Sequence, residues 1–222
     1  MWLGSGALVA LLVALSIAYL DRPSAQWAAG LDPAVVTFCR RLTALGNSAW
    51  YLVPLGLAVP ALHLASRRSA DAERAARLRW LLWAAVFLFA AIAASGLLTD
   101  LLKILFGRAR PALLLRAGDF GWHPPGLSAK WQSFPSGHAN TITAVALALG
   151  LLAPRLVTPL AVVALLVALT RIAVGDHYPS DVLAGAFVAF ATTLALRAVF
   201  ARRGWLFAKA ARGTGEGTGP ID

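Results

Sequence analysis

Long apolar segments recur along this chain, and they constrain its fold more than any other feature. Short stretches rich in Arg, Lys, Pro and Gly separate six of these segments. Each lies near the roughly 20 residues that an α-helix needs to cross about 30 Å of hydrocarbon. The segments are 2–20, 49–64, 79–106, 137–153, 156–174 and 182–200. We therefore predict an all-α membrane protein with six transmembrane helices, in a single domain over residues 1–206.

The composition supports a bilayer as the environment of this chain. Of its 222 residues, 59% are hydrophobic and 14% are charged, whereas soluble domains carry about 25% charged residues. A chain of this length cannot enclose so much apolar surface in a soluble core. The same apolar content excludes a disordered chain, because disorder requires low hydrophobicity.

The basic residues predict the orientation in the membrane. With 20 Lys and Arg against 10 Asp and Glu, the net charge is +10. Such a charge often indicates nucleic-acid binding, but here the basic residues cluster between apolar segments, as topology-setting residues do. We expect no nucleic-acid partner. Two basic stretches, five Arg from Arg67 to Arg79 and the four basic residues Arg202, Arg203, Lys209 and Arg212, predict cytoplasmic N- and C-termini. We expect a bacterial inner-membrane protein with a disordered tail over residues 207–222.

Two features of the first 50 residues bear on this topology. The first segment lacks a basic start and is apolar almost from Trp2, so it predicts a retained span rather than a cleaved signal peptide. In the loop that follows, Asp32 is a good helix cap, Pro33 fits a first turn and Gly46 fits a helix end. These signals predict a short helix at the outer interface, with Arg40 and Arg41 on its wet side.

Three polar clusters stand at the ends of the apolar segments. They are Lys103…Arg110-Pro111 after the third segment, Pro135-Ser136-Gly137-His138 at the start of the fourth, and Arg171…His177…Asp181 between the fifth and sixth. Six spans would bring all three clusters to the outer face. Ionisable groups at such depths are costly, which indicates a functional site. Basic residues in an outer loop depart from the usual charge distribution, and a bound phosphate would account for them.

The first chemical role of these clusters is to bind a phosphate. Lys103, Arg110 and Arg171 are cations that can surround a phosphoryl dianion, since Arg gives bidentate contacts and Lys a movable charge. Gly137 allows a close backbone approach, and free N–H groups at the start of a helix bind anions. The hydroxyl of Ser136 would add another donor.

The second role is nucleophilic catalysis. If Pro179 begins a helix, Asp181 can hold one ring N–H of His177 and leave the other nitrogen free as a nucleophile. His138 would protonate the leaving alkoxide. Cations around the phosphoryl oxygens stabilise the transition state without a metal, and they would repel a divalent ion. We expect no metal and no cofactor. The remaining carboxylates near the clusters are expected to be structural or solvated: Asp100, Asp119 and Asp176.

The three clusters resemble the signature of the type 2 phosphatidic acid phosphatase superfamily. The match covers Lys103–Asp181 in order, and one departure is Thr170, where the family usually has Ser. The resemblance implies metal-independent hydrolysis of a phosphomonoester or pyrophosphate through a phosphohistidine. It makes His177 the nucleophile, Asp181 its orienting partner and His138 the general acid. It assigns phosphate binding to five residues: Lys103, Arg110, Ser136, Gly137 and Arg171.

The membrane setting predicts a phosphorylated lipid as substrate, with its headgroup at the outer interface. The classes that remain open are phosphatidate or phosphatidylglycerophosphate, undecaprenyl pyrophosphate and lipid A phosphates. Residues 21–52 resemble bacterial lipid A 1-phosphatases. The same signature occurs in vanadate-dependent haloperoxidases, but those are soluble. A non-catalytic lipid carrier or transporter is the other alternative, although a pure binder needs cations and not the set His177, Asp181 and His138.

Overall fold

A computed structural model describes residues 2–207, and this part of the chain is helical. No β-strand occurs within it, and Arg108 and Trp122 form an isolated bridge. The α-helices are α1 (Trp2–Tyr19), α2 (Asp21–Ala29), α3 (Pro33–Thr43), α4 (Ala49–Arg68), α5 (Ala72–Phe106), α6 (Pro111–Ala117), α7 (Gly137–Leu152), α8 (Val157–Ala173) and α9 (Pro179–Arg202). The predicted all-α class is confirmed.

Each predicted segment falls on one of the helices α1, α4, α5, α7, α8 and α9. Among the described residues, four stretches are long and apolar enough to cross a bilayer: Pro33–Arg68, Ala72–Phe106, Pro154–Ala173 and Pro179–Arg202. A fifth is obtained if Gly6–Tyr19 and Asp21–Ala29, which are bent by 55°, form one span. Helix α7 has 16 residues and is shorter. The protein is an integral membrane protein, and the count of six spans stays a prediction.

The predicted loop helix is present as α3. Oδ1 of Asp32 accepts a hydrogen bond from the backbone N–H of Ala34 at 2.7 Å, and Pro33 is the first helical residue. The helix ends at Thr43, and a 3₁₀ turn continues the chain to Gly46. The capping signals in the sequence thus predict this helix and its start.

Helix α1 ends at Tyr19, next to the Asp21-Arg22-Pro23 stretch that the sequence predicts as the end of the first segment, but the helix α2 that follows is not predicted. Pro23 lies in the first turn of α2, where its missing N–H would have had no intrahelical partner. Proline therefore permits a helix here after a bend, rather than ending one. Helix α6 also begins with a proline, Pro111.

Helices α5, α7 and α9 contact one another and form the centre of the bundle. Helix α4 packs on α5, α8 on α7 and α1 on α9, while α3 lies against α8. Small side chains at the central contacts, such as Ala91, Ala144 and Ala189, are fully or almost fully buried. Small residues let helices approach closely, which is how helices in membranes gain packing energy.

One end of the bundle collects the ends of four helices, and we call it the motif end. There α5 and α8 end, at Phe106 and Ala173, and α7 and α9 begin, at Gly137 and Pro179. Because all three sequence clusters flank these four positions, the fold brings them to the same end of the molecule.

The opposite end is closed by aromatic side chains. Trp205 stacks on Trp83 with ring centroids 4.5 Å apart, and Phe207 packs edge-on against Phe87 at 5.1 Å. The tail expected over residues 207–222 therefore begins with a packed residue. Residues 208–222 lie outside the described range.

Candidate active site

The motif end brings together the catalytic and cationic residues that the sequence predicts. A Cβ added at Gly137 would lie 3.1 Å from Nζ of Lys103, so the first and second clusters touch. His138 lies within range of the charges on Arg171, Lys103 and His177. The charge of Arg110 also acts on His177. Side chains far apart in the chain therefore surround one site.

The ring of His177 is held in a single tautomer by the main chain. It belongs to the turn before α9, as predicted, and only 4% of the residue is exposed. Its Nδ1 lies 2.8 Å from the carbonyl oxygen of Ser133. A carbonyl oxygen only accepts hydrogen bonds, so Nδ1 carries the proton when the ring is neutral. The lone pair is then on Nε2, which is the arrangement a histidine nucleophile requires.

Burial favours the neutral form of this ring. It lowers the pKa of His177 below the ordinary value of 6.5, and the charges of Arg110 and Arg171 act in the same direction, whereas Asp181 opposes them. The burial effect is the largest of these. His177 is therefore an uncharged imidazole at neutral pH and available for attack on an electrophile.

Asp181 lies next to His177 but is not the nearest acceptor of its ring N–H. Oδ2 of Asp181 is 3.5 Å from Nδ1, compared with 2.8 Å for the Ser133 carbonyl. The same oxygen accepts hydrogen bonds from Oγ of Ser133 at 2.5 Å and from the backbone N–H of Tyr178 at 2.9 Å. The structure thus gives the ring proton a nearer acceptor than the predicted carboxylate, which faces the ring as a buried charge.

Arg171 is fixed on two sides by the protein. It is 5% exposed; its NH1 donates to Oγ1 of Thr43 at 2.9 Å, and its NH2 forms an ion pair with Asp176 at 2.6 Å. Its Nε is buried and has no hydrogen-bond partner among the described residues. A buried guanidinium that is only partly paired retains capacity to bind an anion. Asp176, expected to be structural or solvated, is the ion-pair partner of Arg171.

Arg110 is oriented by main-chain oxygens. Its Nε donates to the carbonyl of Ala129 at 2.8 Å, and its NH2 is 3.5 Å from the carbonyl of Gln132. Carbonyl groups hold the side chain in place and leave its charge without a carboxylate partner in the described residues. The charge is thus available to a bound phosphate.

Lys103 forms an ion pair with Asp100, one turn earlier on α5, at 2.8 Å. The Lys103 side chain is 16% exposed, and that of Asp100 is 68% exposed. Asp100 therefore holds the ammonium group from the solvent side. The contact and the exposure of Asp100 agree with the structural or solvated role expected for it.

Ser136 caps the start of α7, a role that the sequence analysis does not assign to it. The hydroxyl oxygen of Ser136 accepts from the backbone N–H of Ala139 at 3.5 Å and thereby caps the helix, and the residue is fully buried. The hydroxyl keeps its own hydrogen to donate, so its role as a phosphate donor stays a prediction. Helix α9 packs directly on it, because a Cβ at Gly185 would lie 2.3 Å from the Ser136 carbonyl oxygen.

His138 lines a cavity of about 500 Å³. Lys103, Gly137 and His138 line one part, and apolar residues of α4 and α5, including Leu52 and Leu97, line another. Such a mixed lining suits a ligand with a charged group and an apolar body.

The 3₁₀ turn after α3 closes the site over His138. A Cβ at Gly46 would come within 2.8 Å of the Cβ of His138 and 3.1 Å of its carbonyl oxygen. Only glycine allows this turn to lie so close. Gly46 therefore lets the turn lie against His138, the predicted general acid. The sequence predicts only a helix end at this glycine.

Several residues of the site do not appear among the sequence candidates: Thr43, Gly46, Arg108 and Ser133. Ser133 contributes its main-chain carbonyl group, which every residue has, so no pattern of residue types predicts this contact. Arg108 lies inside the first cluster but contacts Asp181 instead of facing the cavity. In the described part of the chain, no three His, Cys, Asp or Glu side chains are arranged to hold a metal ion.

Comparisons with known proteins agree with this geometry. The PAP2 superfamily model matches residues 83–205. Lipid A 1-phosphatases of Rhizobium etli and Rhizobium johnstonii are each 36% identical to this chain over 88% of its length, covering 83% and 79% of their own. A crystal structure of a PAP2-type phosphatidylglycerolphosphate phosphatase from Bacillus subtilis shares the fold, with a TM-score of 0.60 and 19% identity over 88% of this chain and 96% of that one. The chain belongs to the PAP2 superfamily, and it is a membrane-embedded phosphatase of the phosphoric monoester hydrolase class.

Proposed function

We propose that this phosphatase hydrolyses the 1-phosphate of a lipid A type glycolipid through a phosphohistidine on His177. The observation that carries the mechanism is the fixed tautomer of His177, a buried neutral ring with Nε2 unprotonated, beside Arg110 and Arg171. A site that only bound phosphate would need the two cations and not an activated ring.

In the first half-reaction, Nε2 of His177 attacks phosphorus while the bond from phosphorus to the lipid oxygen breaks. Protonated His138 gives its proton to the departing alkoxide, so a neutral alcohol leaves. The ring keeps its proton on Nδ1 and becomes an N-phosphoimidazolium. Lys103, Arg110 and Arg171 stabilise the charge that spreads over the phosphoryl oxygens.

In the second half-reaction, water attacks the phosphorus as the phosphorus–nitrogen bond breaks. His138, now neutral, accepts a proton from that water, and His177 returns to its starting tautomer. Inorganic phosphate leaves, and both histidines regain their initial proton counts. The proton that leaves with the alcohol is thus replaced by one from the attacking water.

The lipid nature of the substrate is supported by the cavity. Its charged part at Lys103 and His138 suits a phosphate, and its apolar part reaches Leu97, which is 74% exposed on the outer surface of the bundle. A lipid in the bilayer would thus present its phosphate to the site with its chains against the apolar wall. The two curated relatives, named lipid A 1-phosphatases, support the glycolipid class over the other candidates.

A phosphate-release panel tests this substrate. The purified full chain is assayed with lipid A, phosphatidate, phosphatidylglycerophosphate and undecaprenyl pyrophosphate in matched micelles. We expect the highest kcat/KM with lipid A and loss of the 1-phosphate. His177→Ala is the inactive control. A preference for phosphatidylglycerophosphate or undecaprenyl pyrophosphate would overturn the assignment to lipid A while leaving the mechanism in place.

We also propose that the motif end faces the outer side of the inner membrane. Support comes from the opposite end, where the loop 69–71 and its flanking Arg residues carry the basic charge that is typical of cytoplasmic loops. Both termini are then cytoplasmic.

Thiol labelling tests this orientation. After Cys39, the one native cysteine, is replaced by Ala, single cysteines are placed at Leu127 in the motif-end loop and at Ala70 at the other end, both exposed. A membrane-impermeant maleimide should label Leu127→Cys in intact spheroplasts, and Ala70→Cys only after lysis. The reverse pattern would invert the topology.

A further inference from the structure

Asp21 is a fully buried carboxylate outside the three clusters. It lies at the bend between α1 and α2, and its side chain accepts hydrogen bonds from three of the described residues: Ser16, Arg108 and Ser180. NH2 of Arg108 donates to Oδ2 at 2.7 Å, Oγ of Ser16 to Oδ1 at 3.0 Å, and the backbone N–H of Ser180 to Oδ1 at 3.1 Å. A buried charge is tolerated only with such pairing.

Arg108 joins Asp21 to the catalytic side of the protein. Its NH1 donates to Oδ1 of Asp181 at 2.5 Å, and its guanidinium lies over the ring of Tyr178, 4.4 Å from the centroid. Only 1% of Arg108 is exposed. One buried cation thus bridges two buried carboxylates, one from the bend and one from α9.

The charges of this bridge leave one negative unit beside His177. Two carboxylates and one guanidinium sum to −1, and Oδ2 of Asp181 is 3.5 Å from the ring. Without Asp21, the Arg108 charge would neutralise Asp181 in a region with little water to screen it. The ring would then face a neutral pair.

The net negative charge beside His177 matters because the ring gains a positive charge during the reaction. The neutral His177 becomes a phosphoimidazolium when Nε2 binds phosphorus, and it keeps the proton on Nδ1. A nearby negative charge stabilises this product and the transition state that leads to it. The surrounding charged groups of the other elements, Arg110 and Arg171, act against it.

We propose that Asp21 is a positioning residue that acts through Arg108: it neutralises the Arg108 guanidinium, so that Asp181 keeps its negative charge for the phosphoimidazolium. This inference rests on the proposed phosphohistidine mechanism. It assigns a kinetic role to a residue of the first bend, which lies outside the matched motifs.

The competing interpretation is that Asp21 only anchors the α1–α2 bend to α9. The two interpretations predict different effects when Arg108 is replaced in addition to Asp21. Removing Arg108 as well as Asp21 deletes a second anchor, which should worsen a structural defect. The same double change restores the net charge of −1 at Asp181. If the defect of Asp21→Asn is electrostatic, the second substitution should therefore recover the rate.

The test measures formation of the phosphoenzyme by rapid quench, using the full chain and lipid A that carries ³²P at its 1-phosphate. We expect Asp21→Asn to slow this step about tenfold with KM changed less than twofold. The double variant Asp21→Asn/Arg108→Gln should return to within about threefold of the wild type. Ser16→Ala is the matched control, since it removes a hydrogen bond to Asp21 and keeps every charge; it should label at the wild-type rate.

The outcomes separate the two proposals. Wild-type protein that never becomes labelled contradicts the phosphohistidine mechanism, and the inference fails with it. A labelled wild type with an equally fast Asp21→Asn, or a double variant slower than Asp21→Asn, overturns the role of Asp21 alone. If Asp21→Asn does not fold, the folded double variant decides: a rate more than tenfold below the wild type contradicts the proposal.

Discussion

The ring Nδ1 of His177 lies 2.8 Å from the carbonyl oxygen of Ser133, whose hydroxyl donates to Oδ2 of Asp181. The tautomer of the proposed nucleophile is therefore set by the main chain, and the carboxylate contributes charge from 3.5 Å away. Orientation and charge stabilisation are thus supplied by different groups, which mutations can separate.

Loss of the carboxylate should be less severe than loss of the ring. Asp181→Asn should lower kcat by about 10²-fold, because the Ser133 carbonyl still holds Nδ1–H, whereas His177→Ala should abolish turnover. Ser133→Ala keeps the carbonyl and loses a hydroxyl contact, so it should cost about tenfold or less. The measurement is steady-state phosphate release with folding checked by size-exclusion chromatography. An Asp181→Asn variant as inactive as His177→Ala would assign orientation to the carboxylate.

The close contact at Gly46 predicts a site-specific loss of activity. In Gly46→Ala the new methyl group would lie 2.8 Å from Cβ of His138, so the turn and the first residues of α7 must separate. We expect kcat to fall at least about tenfold, because the general acid moves away from the leaving oxygen. Gly4→Ala in α1, where a Cβ meets nothing within 4 Å, is the control. Equal activity of the two variants would show that the turn does not position His138.

The lowered pKa of His177 predicts how stability depends on pH. Below 6.5 the unfolded chain protonates this ring, while the folded protein, in which burial lowers the pKa, does not. The free energy of unfolding should therefore fall as the pH drops through 6.5 toward the lower folded pKa. His177→Gln has no titrating ring and lacks this contribution. The Tm of the wild type minus that of the variant should therefore be smaller at pH 5 than at pH 8. A difference that stays constant would contradict a buried neutral ring.

The proposed cycle uses only protein side chains and water, and this predicts independence from metal ions. Phosphate release by the full chain should be unchanged, within about twofold, after incubation with EDTA, because Lys103, Arg110 and Arg171 supply the positive charge that a metal would otherwise provide. The control is a metal-dependent phosphatase treated in parallel. Complete loss of activity that Mg²⁺ or Zn²⁺ restores would require a different mechanism.

Much of the architecture is readable from local pattern. The apolar segments mark the six long helices, and the Asp32-Pro33 cap marks α3. Helix α2 is not predicted, because Pro23 is interpreted as the end of a helix. A proline in the first turn, however, destabilises a helix little. The cap at Ser136 was open to prediction, since serine before a helix is a strong N-cap signal.

The contacts that orient the site are harder to predict from the sequence, because they join residues distant in the chain. The Ser133 carbonyl is main chain and has no sequence signature. The bridge from Asp21 through Arg108 to Asp181 depends on which helix ends meet, and the sequence shows only three charged residues near predicted span ends. The sequence motifs therefore predict which side chains react. Tertiary packing determines which other groups contact and orient those side chains.

The central claim is that His177 carries the phosphoryl group, and trapping the intermediate tests it most directly. Purified protein is mixed with lipid A that carries ³²P at its 1-phosphate, quenched in alkaline detergent to preserve phosphohistidine, digested and sequenced by mass spectrometry. The account predicts label on the peptide that contains His177, absent in His177→Ala and retained longer when His138→Ala slows hydrolysis. Label on His138 instead, or burst-free turnover with no labelled protein at any time, would contradict it.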